Sequence, residues 1–314
     1  MGKPLVLAVL GPTATGKSAL ALALAERRGG EIVNCDSTAV FRGFDIGTDK
    51  VLPAEQRGIP HHLIDVADPI DDYTAAQFAH DAAEVIRAIH SRRRLPIVVG
   101  GTGFYFRALR RGLFPGPGGN AALRRRLETM AARRGVTFLH RLLRRVDPAS
   151  AQRIQPRDLK RMVRALEVFF LTGRPLTDHF VDTVSPIAGT EMVAIGLRIP
   201  AEQTSARVAR RVDQQFERGL LDEIRRLLAN GVPETARPFG GLVYRQALAH
   251  LHGARDEPAT RALIAQENRR YARRQLTWFR KEPDLQWIDG PGEAPTAVAA
   301  AIALLDRRLK EPVR

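Results

Sequence analysis

The chain has 314 residues, with 49 lysines and arginines against 34 aspartates and glutamates (net +15), and its 44% hydrophobic and 26% charged residues exclude disorder over most of its length. No apolar run approaches the ~18 residues of a membrane span, Met1-Gly2-Lys3-Pro4 lacks the features of a secretory signal, and the single cysteine, Cys35, excludes an internal disulfide and fits a reducing cytoplasm. Codon bias in a GC-rich genome accounts for 43 arginines beside 6 lysines but not for the surplus over acids, which points to a polyanionic partner, RNA or DNA first.

Leu5–Leu10 is a continuous apolar run, as expected of a parallel strand buried on both faces. Gly11–Ser18 reads as a loop, and Ala19–Arg28 as a helix closed by Gly29-Gly30. Glu31–Asp36 is expected to be a second strand, Leu63–Val66 a third and Pro96–Gly100 another buried one. A long helix spans Thr74–Arg93, with Thr74 as N-cap and Gln77 completing a capping box. This alternation predicts an α/β fold with an open parallel sheet. The run Pro115-Gly116-Pro117-Gly118-Gly119 is a hinge, after which only helical patterns occur, at 120–134, 137–145, 148–154 and 158–172. Strand character returns at Met192–Ile199. Helices at 201–218, 220–230, 241–252 and 258–280, a short strand near Leu285–Ile288 and a helix at 294–309 follow. The expected division is an α/β core over 1–118 and 191–314 and a helical insertion over 119–190. Basic clusters at Arg124-Arg125-Arg126, Arg141/Arg144/Arg145 and Lys160-Arg161/Arg164 fall in the insertion.

Gly11-Pro12-Thr13-Ala14-Thr15-Gly16-Lys17-Ser18 matches G-x4-G-K-[ST] between a buried strand and a helix, the context that gives this motif its meaning. Its glycines let successive N–H groups converge, the helix N-terminus adds partial positive charge, Lys17 adds a full charge, and the Ser18 hydroxyl can ligate Mg²⁺. Kinases, NTPases and some transferases share this loop. Asp36, at the carboxyl edge of the second strand, is placed to ligate Mg²⁺ or act as a base; its bland alternative is an N-cap. Val98-Val99-Gly100-Gly101-Thr102-Gly103 brings a second glycine-rich turn, with the Thr102 hydroxyl, to the same edge. Cys35 reads as a small core residue. The run from Asn268 to Arg280 holds five arginines and three aromatics, suited to phosphates and unpaired bases; Trp278 and Phe279 are expected in the core with the arginines outside. The eight histidines lack ligand spacing, which argues against zinc.

GPTATGKS, DSTAVFRGFDIGT, GGTGFYFRAL, DLKRMVRALEVFFLTGRPL, YRQAL and RRYARRQLTWFR follow one another in this order. With them the chain resembles, from about residue 5 to 290, the tRNA dimethylallyltransferases, also called tRNA isopentenyltransferases. The resemblance implies a P-loop NTPase-like parallel sheet core, of the type seen in ATP-binding proteins, with an inserted all-helical tRNA-binding domain. It implies a cytoplasmic, monomeric enzyme that moves the dimethylallyl group of dimethylallyl diphosphate onto N6 of the adenine 3′ of the tRNA anticodon. Diphosphate would occupy Gly11, Pro12, Thr13, Ala14, Thr15, Gly16, Lys17 and Ser18 with Mg²⁺, and Arg211 would lie near it. Asp36 would take the proton of the attacking amine, and Thr102 would hydrogen-bond near the same centre. Asp36, Ser37, Thr38, Ala39 and Thr102 would meet the target base. Arg124, Lys160, Arg161, Met162, Val163 and Arg164 match RNA-contacting positions, joined by Arg273 and Arg274. Three departures stand out. Ala39 replaces a glutamine expected to read the base, and Phe41 a tyrosine. Val243 replaces the glycine of Gly-Tyr-Arg. Arg157 replaces an asparagine before Asp158. These touch specificity more than chemistry, and raise the alternative of a divergent paralogue. The competing readings are a prenyltransferase of free adenylate, a P-loop kinase or NTPase of small molecules, and a non-catalytic RNA-binding relative.

Overall fold

The computed structural model describes residues 3–310. Among these, six parallel strands form one sheet: β1 (Leu5–Leu10), β2 (Gly30–Asn34), β3 (His61–His62), β4 (Leu95–Gly100), β5 (Glu191–Arg198) and β6 (Leu285–Asp289). Their order is β3-β2-β4-β1-β5-β6. The helices are α1 (Lys17–Arg28), α2 (Ala75–Ser91), α3 (Gly103–Arg111), α4 (Ala121–Arg134), α5 (Val136–Val146), α6 (Pro148–Arg153), α7 (Leu159–Thr172), α8 (Ala201–Glu217), α9 (Leu220–Ala229), α10 (Leu242–Leu251), α11 (Glu257–Phe279) and α12 (Pro295–Lys310). The chain falls into two compact units. One runs to Arg110 and resumes at Pro186; the other is Arg111–Ser185.

In the larger unit, Leu7 and Val9 of β1 join a core with Leu20 and Leu24 of α1 and Ala301 and Leu305 of α12. Val6, Ala8 and Leu10 are fully buried too, so both faces of β1 are covered, as its unbroken apolar run requires. Val9 lies beside Val99 of β4 and Ile195 of β5, which aligns the carboxyl ends of the three strands. From β1 the chain passes to β2 beyond β4, and from β4 it passes to β5 beyond β1. The loops after β1 and β4 therefore diverge and leave a crevice, the usual ligand position in open α/β sheets.

Two expectations shift. The second strand ends at Asn34, so Asp36 stands beyond the sheet in a turn. The third strand is His61–His62 and not Leu63–Val66, because Leu63 and Asp65 adopt left-handed φ of 61° and 56°, which breaks an extended run. Thr74 does cap α2, accepting the Gln77 N–H at 3.2 Å.

The smaller unit contains α4 to α7 around Leu127, Leu139, Leu143, Met162 and Leu166. Asn120, Asp147 and Asp158 cap α4, α6 and α7. It carries 15 lysines and arginines against 6 acids, a net +9 of the whole chain's +15. Fully buried Glu167 accepts from Arg124 Nε at 2.8 Å and Arg164 Nη1 at 2.6 Å. Arg125, Arg126, Arg144, Arg145 and Lys160 are exposed and form no ion pair among the described residues.

Candidate active site

The loop over residues 11–18 curls because two glycines allow it. Gly11 (φ 142°) has Leu197 O so close that a Cβ would come within 2.6 Å of it, and Gly16 (φ 85°) is equally confined by residues 292 and 293. The loop's carbonyls are tied to donors. Pro12 O accepts Lys17 Nζ at 2.6 Å and Thr15 Oγ1 at 2.9 Å, Ala14 O accepts Arg207 Nε at 2.7 Å, and Thr15 O accepts the Gly292 N–H at 2.9 Å. With its acceptors engaged, the loop offers donors to a ligand, as an anion cradle must. Residues of this loop line a cavity of about 670 Å³ together with Asp36, Asp49, Arg207, Arg211, Tyr271 and Gln275. Burial lowers the Lys17 ammonium to about 7; the positive charge of Arg211 adds to this, and Asp36 opposes it. An arriving anion would act in the same direction as Asp36 and favour the charged ammonium.

Asp36 sits in a tight Asx turn. Its Oδ1 accepts the Thr38 N–H at 2.9 Å and the Thr38 hydroxyl at 2.6 Å. Among the described residues its Oδ2 has no hydrogen bond, and the residue lines the cavity. The Thr102 hydroxyl accepts the Ser37 N–H at 3.1 Å and lies 3.3 Å from Ser37 Oγ, so the second glycine-rich turn holds the acid's own turn in place. Gly100 makes this possible, since a Cβ there would collide with the Cys35 carbonyl. Cys35 is fully buried, and burial first, then Asp36, pushes its thiol far up, as expected of an inert core residue. Tyr271 stays protonated near neutral pH, its phenol pushed up to about 12 by burial and then by Asp36.

Arg211 Nη1 donates to Thr13 Oγ1 at 3.0 Å and reaches Asp49 Oδ2 at 3.3 Å. Gln215 donates to the same Asp49 oxygen at 2.9 Å, and burial raises the pKa of that carboxyl against the pull of Arg211 and Arg218. Four residues before Arg211 on α8, Arg207 pairs with Glu293 at 2.6 Å. The sequence reading missed Arg207, Asp49, Gln275 and Glu293, and took Tyr271 only as one aromatic of a run suited to unpaired bases. A one-turn spacing was the available signal for Arg207, four residues before Arg211.

The remaining expected residues divide by location. Ala39 and Val243 border the cavity, whereas Phe41 is 2% exposed and lies in the core, so the hydroxyl absent there is absent from the interior. Ser18 is exposed at the start of α1, and its hydroxyl has no hydrogen bond among the described residues. In the helical unit, Met162 and Val163 give their side chains to the core, while Lys160 and Arg161 face solvent. Arg273 and Arg274 are exposed and border a shallow depression with Thr277, Trp278 and Lys281. Trp278 is thus half-buried and not a core ring as expected; Phe279 is fully buried. Among the described residues no His, Cys, Asp and Glu cluster could hold a metal by itself, and no helix is long and apolar enough to cross a membrane.

A family model described as IPP transferase matches residues 39–282. The chain is 43% identical over 305 residues to a tRNA dimethylallyltransferase of Koribacter versatilis, covering 97% of this chain and 99% of that one. It is 46% identical over 296 residues to the same-named protein of Geobacter metallireducens, covering 93% and 94%. Among solved structures it resembles a tRNA isopentenylpyrophosphate transferase from Bacillus halodurans (34% identity, TM-score 0.71, 98% of each chain). A eukaryotic dimethylallyltransferase acting on tRNA is also similar (25% identity, TM-score 0.81, 99% of this chain and 81% of that one).

Proposed function

The chain belongs to the IPP transferase family, and from that premise we propose that it transfers the dimethylallyl group of dimethylallyl diphosphate to N6 of the adenine 3′ of the anticodon in tRNA. It is a tRNA-modifying prenyltransferase. The observation that carries the detailed reading is one cavity lined by both a phosphate loop and an aspartate whose Oδ2 has no hydrogen bond among the described residues. The diphosphate takes the loop, and Lys17 and Arg211 carry its charge as the C1–O bond breaks. The adenine N6 lone pair forms the new bond to C1, and Asp36 Oδ2 takes the N6 proton. Thr38 holds Oδ1, so the base keeps one orientation. Tyr271, protonated at neutral pH, can donate a hydrogen bond into the same cavity. The Ser18 hydroxyl, which has no hydrogen bond among the described residues, would hold a Mg²⁺ ion. An ion held there would supply charge neutralisation to the leaving group. The target base must leave its stack to enter such a cavity, and the net +9 helical unit supplies cations for the surrounding RNA backbone. The enzyme would act as a monomer in the cytoplasm, a reducing compartment that its single cysteine fits.

The test is incubation with labelled dimethylallyl diphosphate, Mg²⁺ and either total tRNA or AMP. Label in tRNA alone supports the reading. Label in AMP would identify an adenylate prenyltransferase, and tight tRNA binding without transfer a non-catalytic relative.

A further inference from the structure

We infer that Gln275 is a positioning residue for prenyl transfer: it fixes the spacing between the phosphate loop and the turn that carries Thr102. The inference rests on the reading above. Gln275 Oε1 accepts the Thr13 N–H at 2.8 Å, and its Nε2 donates to Gly101 O at 2.9 Å. These partners lie 262 and 174 residues away in sequence, on the loops that follow the neighbouring strands β1 and β4. The side chain is 7% exposed, and a Cβ on Gly101 would collide with its amide nitrogen, so the contact leaves no slack.

The amide group is what the position demands. One end must accept and the other donate, both to backbone, and a carboxamide does this from two atoms on one carbon, as in Gln and Asn. Asn is one methylene short of spanning the two loops. The Thr13 N–H, in a loop whose amides otherwise serve an anion, is engaged by Gln275, so this contact shapes the loop.

Continuing outward, Thr13 Oγ1 accepts from Arg211, while Thr102, next to Gly101, accepts from the Ser37 N–H beside Asp36. Gln275 thus closes a line of contacts from the cation that would face the diphosphate to the turn that holds the base. A shift of this spacing moves the leaving group relative to Asp36, and misplacement by about 1 Å can cost about 10²-fold in rate.

The test compares wild type with Gln275→Asn and Gln275→Met in the full-length enzyme. Three quantities are measured: kcat and KM for transfer to tRNA, Kd for inorganic pyrophosphate by calorimetry, and the melting temperature. The expected result is a fall in kcat of about 10–100-fold, weaker pyrophosphate binding and an unchanged KM for tRNA. The Asn variant keeps a polar group in the buried site, so it reports even where the Met variant does not fold. Wild-type kcat and pyrophosphate Kd in folded Gln275→Asn would overturn the inference and reduce Gln275 to a fold contact, whatever the melting temperature does. If wild type itself transfers nothing to tRNA, the prenyl-transfer reading fails. The pyrophosphate Kd of the Asn variant then still decides whether Gln275 shapes the phosphate loop.

Discussion

The guanidinium of Arg211 donates to the hydroxyl of Thr13 at 3.0 Å. The same nitrogen lies 3.3 Å from Asp49, so one side chain of α8 ties the phosphate loop to the residue-49 turn. Both contacts come from one guanidinium nitrogen, whose N–H directions are fixed in the guanidinium plane, whereas a lysine ammonium is a rotatable point charge on a shorter stem. Arg211→Lys keeps the charge and loses the geometry. Its KM for dimethylallyl diphosphate should rise about tenfold, the value of one lost charge-assisted hydrogen bond, with KM for tRNA unchanged. Steady-state kinetics with each substrate varied in turn would show this, and a raised KM for tRNA would count against it.

Lys17 gives a prediction with a pH signature. Its pKa in the folded, ligand-free protein is lowered to about 7, through burial first and Arg211 second. In the unfolded chain a lysine titrates near 10.4. Between these values the unfolded state binds more protons, so this group makes stability rise with pH. Its penalty is complete below about pH 7 and vanishes as pH rises past the unfolded value. Lys17→Met should therefore abolish transfer while raising the melting temperature of the ligand-free protein at pH 7 by roughly 2–4 °C. That gain should shrink toward pH 10. Thermal unfolding across this range, without pyrophosphate, is the measurement, and a gain independent of pH would contradict the assignment.

The parallel sheet was legible because its central strands are continuous apolar runs, Leu5–Leu10 above all, and because glycine and capping residues punctuate the helices. The phosphate loop and Asp36 were legible for the same local reason, as each follows a strand end. What the sequence hid was cross-chain contact. Gln275 sits in a stretch dominated by arginines, and only packing against the loops 174 and 262 residues away reveals it as a brace. Asp49 likewise has no motif of its own; Gln215 and Arg211 on α8 give it a setting. Trp278 was misjudged because aromatic character argues for burial, whereas the ring lies half-buried with Arg107 4.5 Å from its centre. The register break at Leu63 came from backbone dihedrals that a residue-type pattern does not carry.

In the helical unit, Glu167 is the linchpin of a polar cluster. Burial raises its pKa, but hydrogen bonds from Arg124, Arg164 and the Asn120 N–H outweigh this and hold it below the usual carboxylate range. A carboxyl with a depressed folded pKa adds stability above its unfolded value, near 4.3, and loses it as pH falls through the lower folded value. Glu167→Gln keeps the shape and removes the charge. It should lower stability at pH 7 by about 1–3 kcal/mol and flatten the acid limb of the unfolding curve. Urea unfolding at pH 7 and at pH 3 would test both parts; an equal loss at the two pH values would deny the ionised carboxylate its role.

Asp36 separates chemistry from architecture most cleanly, because its two oxygens have different duties. Oδ1 holds the turn through the Thr38 N–H and hydroxyl, while Oδ2 is left for the proton. Asp36→Asn can keep a carbonyl oxygen toward Thr38 and place an amide where the base stood. Its kcat should fall by about 10²–10⁴-fold, the usual contribution of a general base, with the melting temperature and tRNA affinity close to wild type. Asp36→Ala removes both duties, so it should lose the same rate and some stability as well, because Thr38 then keeps donors without an acceptor. Single-turnover rates on labelled tRNA, read beside filter binding and thermal unfolding, distinguish the two variants. If Asp36→Asn retained near-wild-type rates while Asp36→Ala did not, the carboxylate would be a turn-former and the proton acceptor would have to be sought elsewhere in the cavity, with Asp49 the first residue to examine.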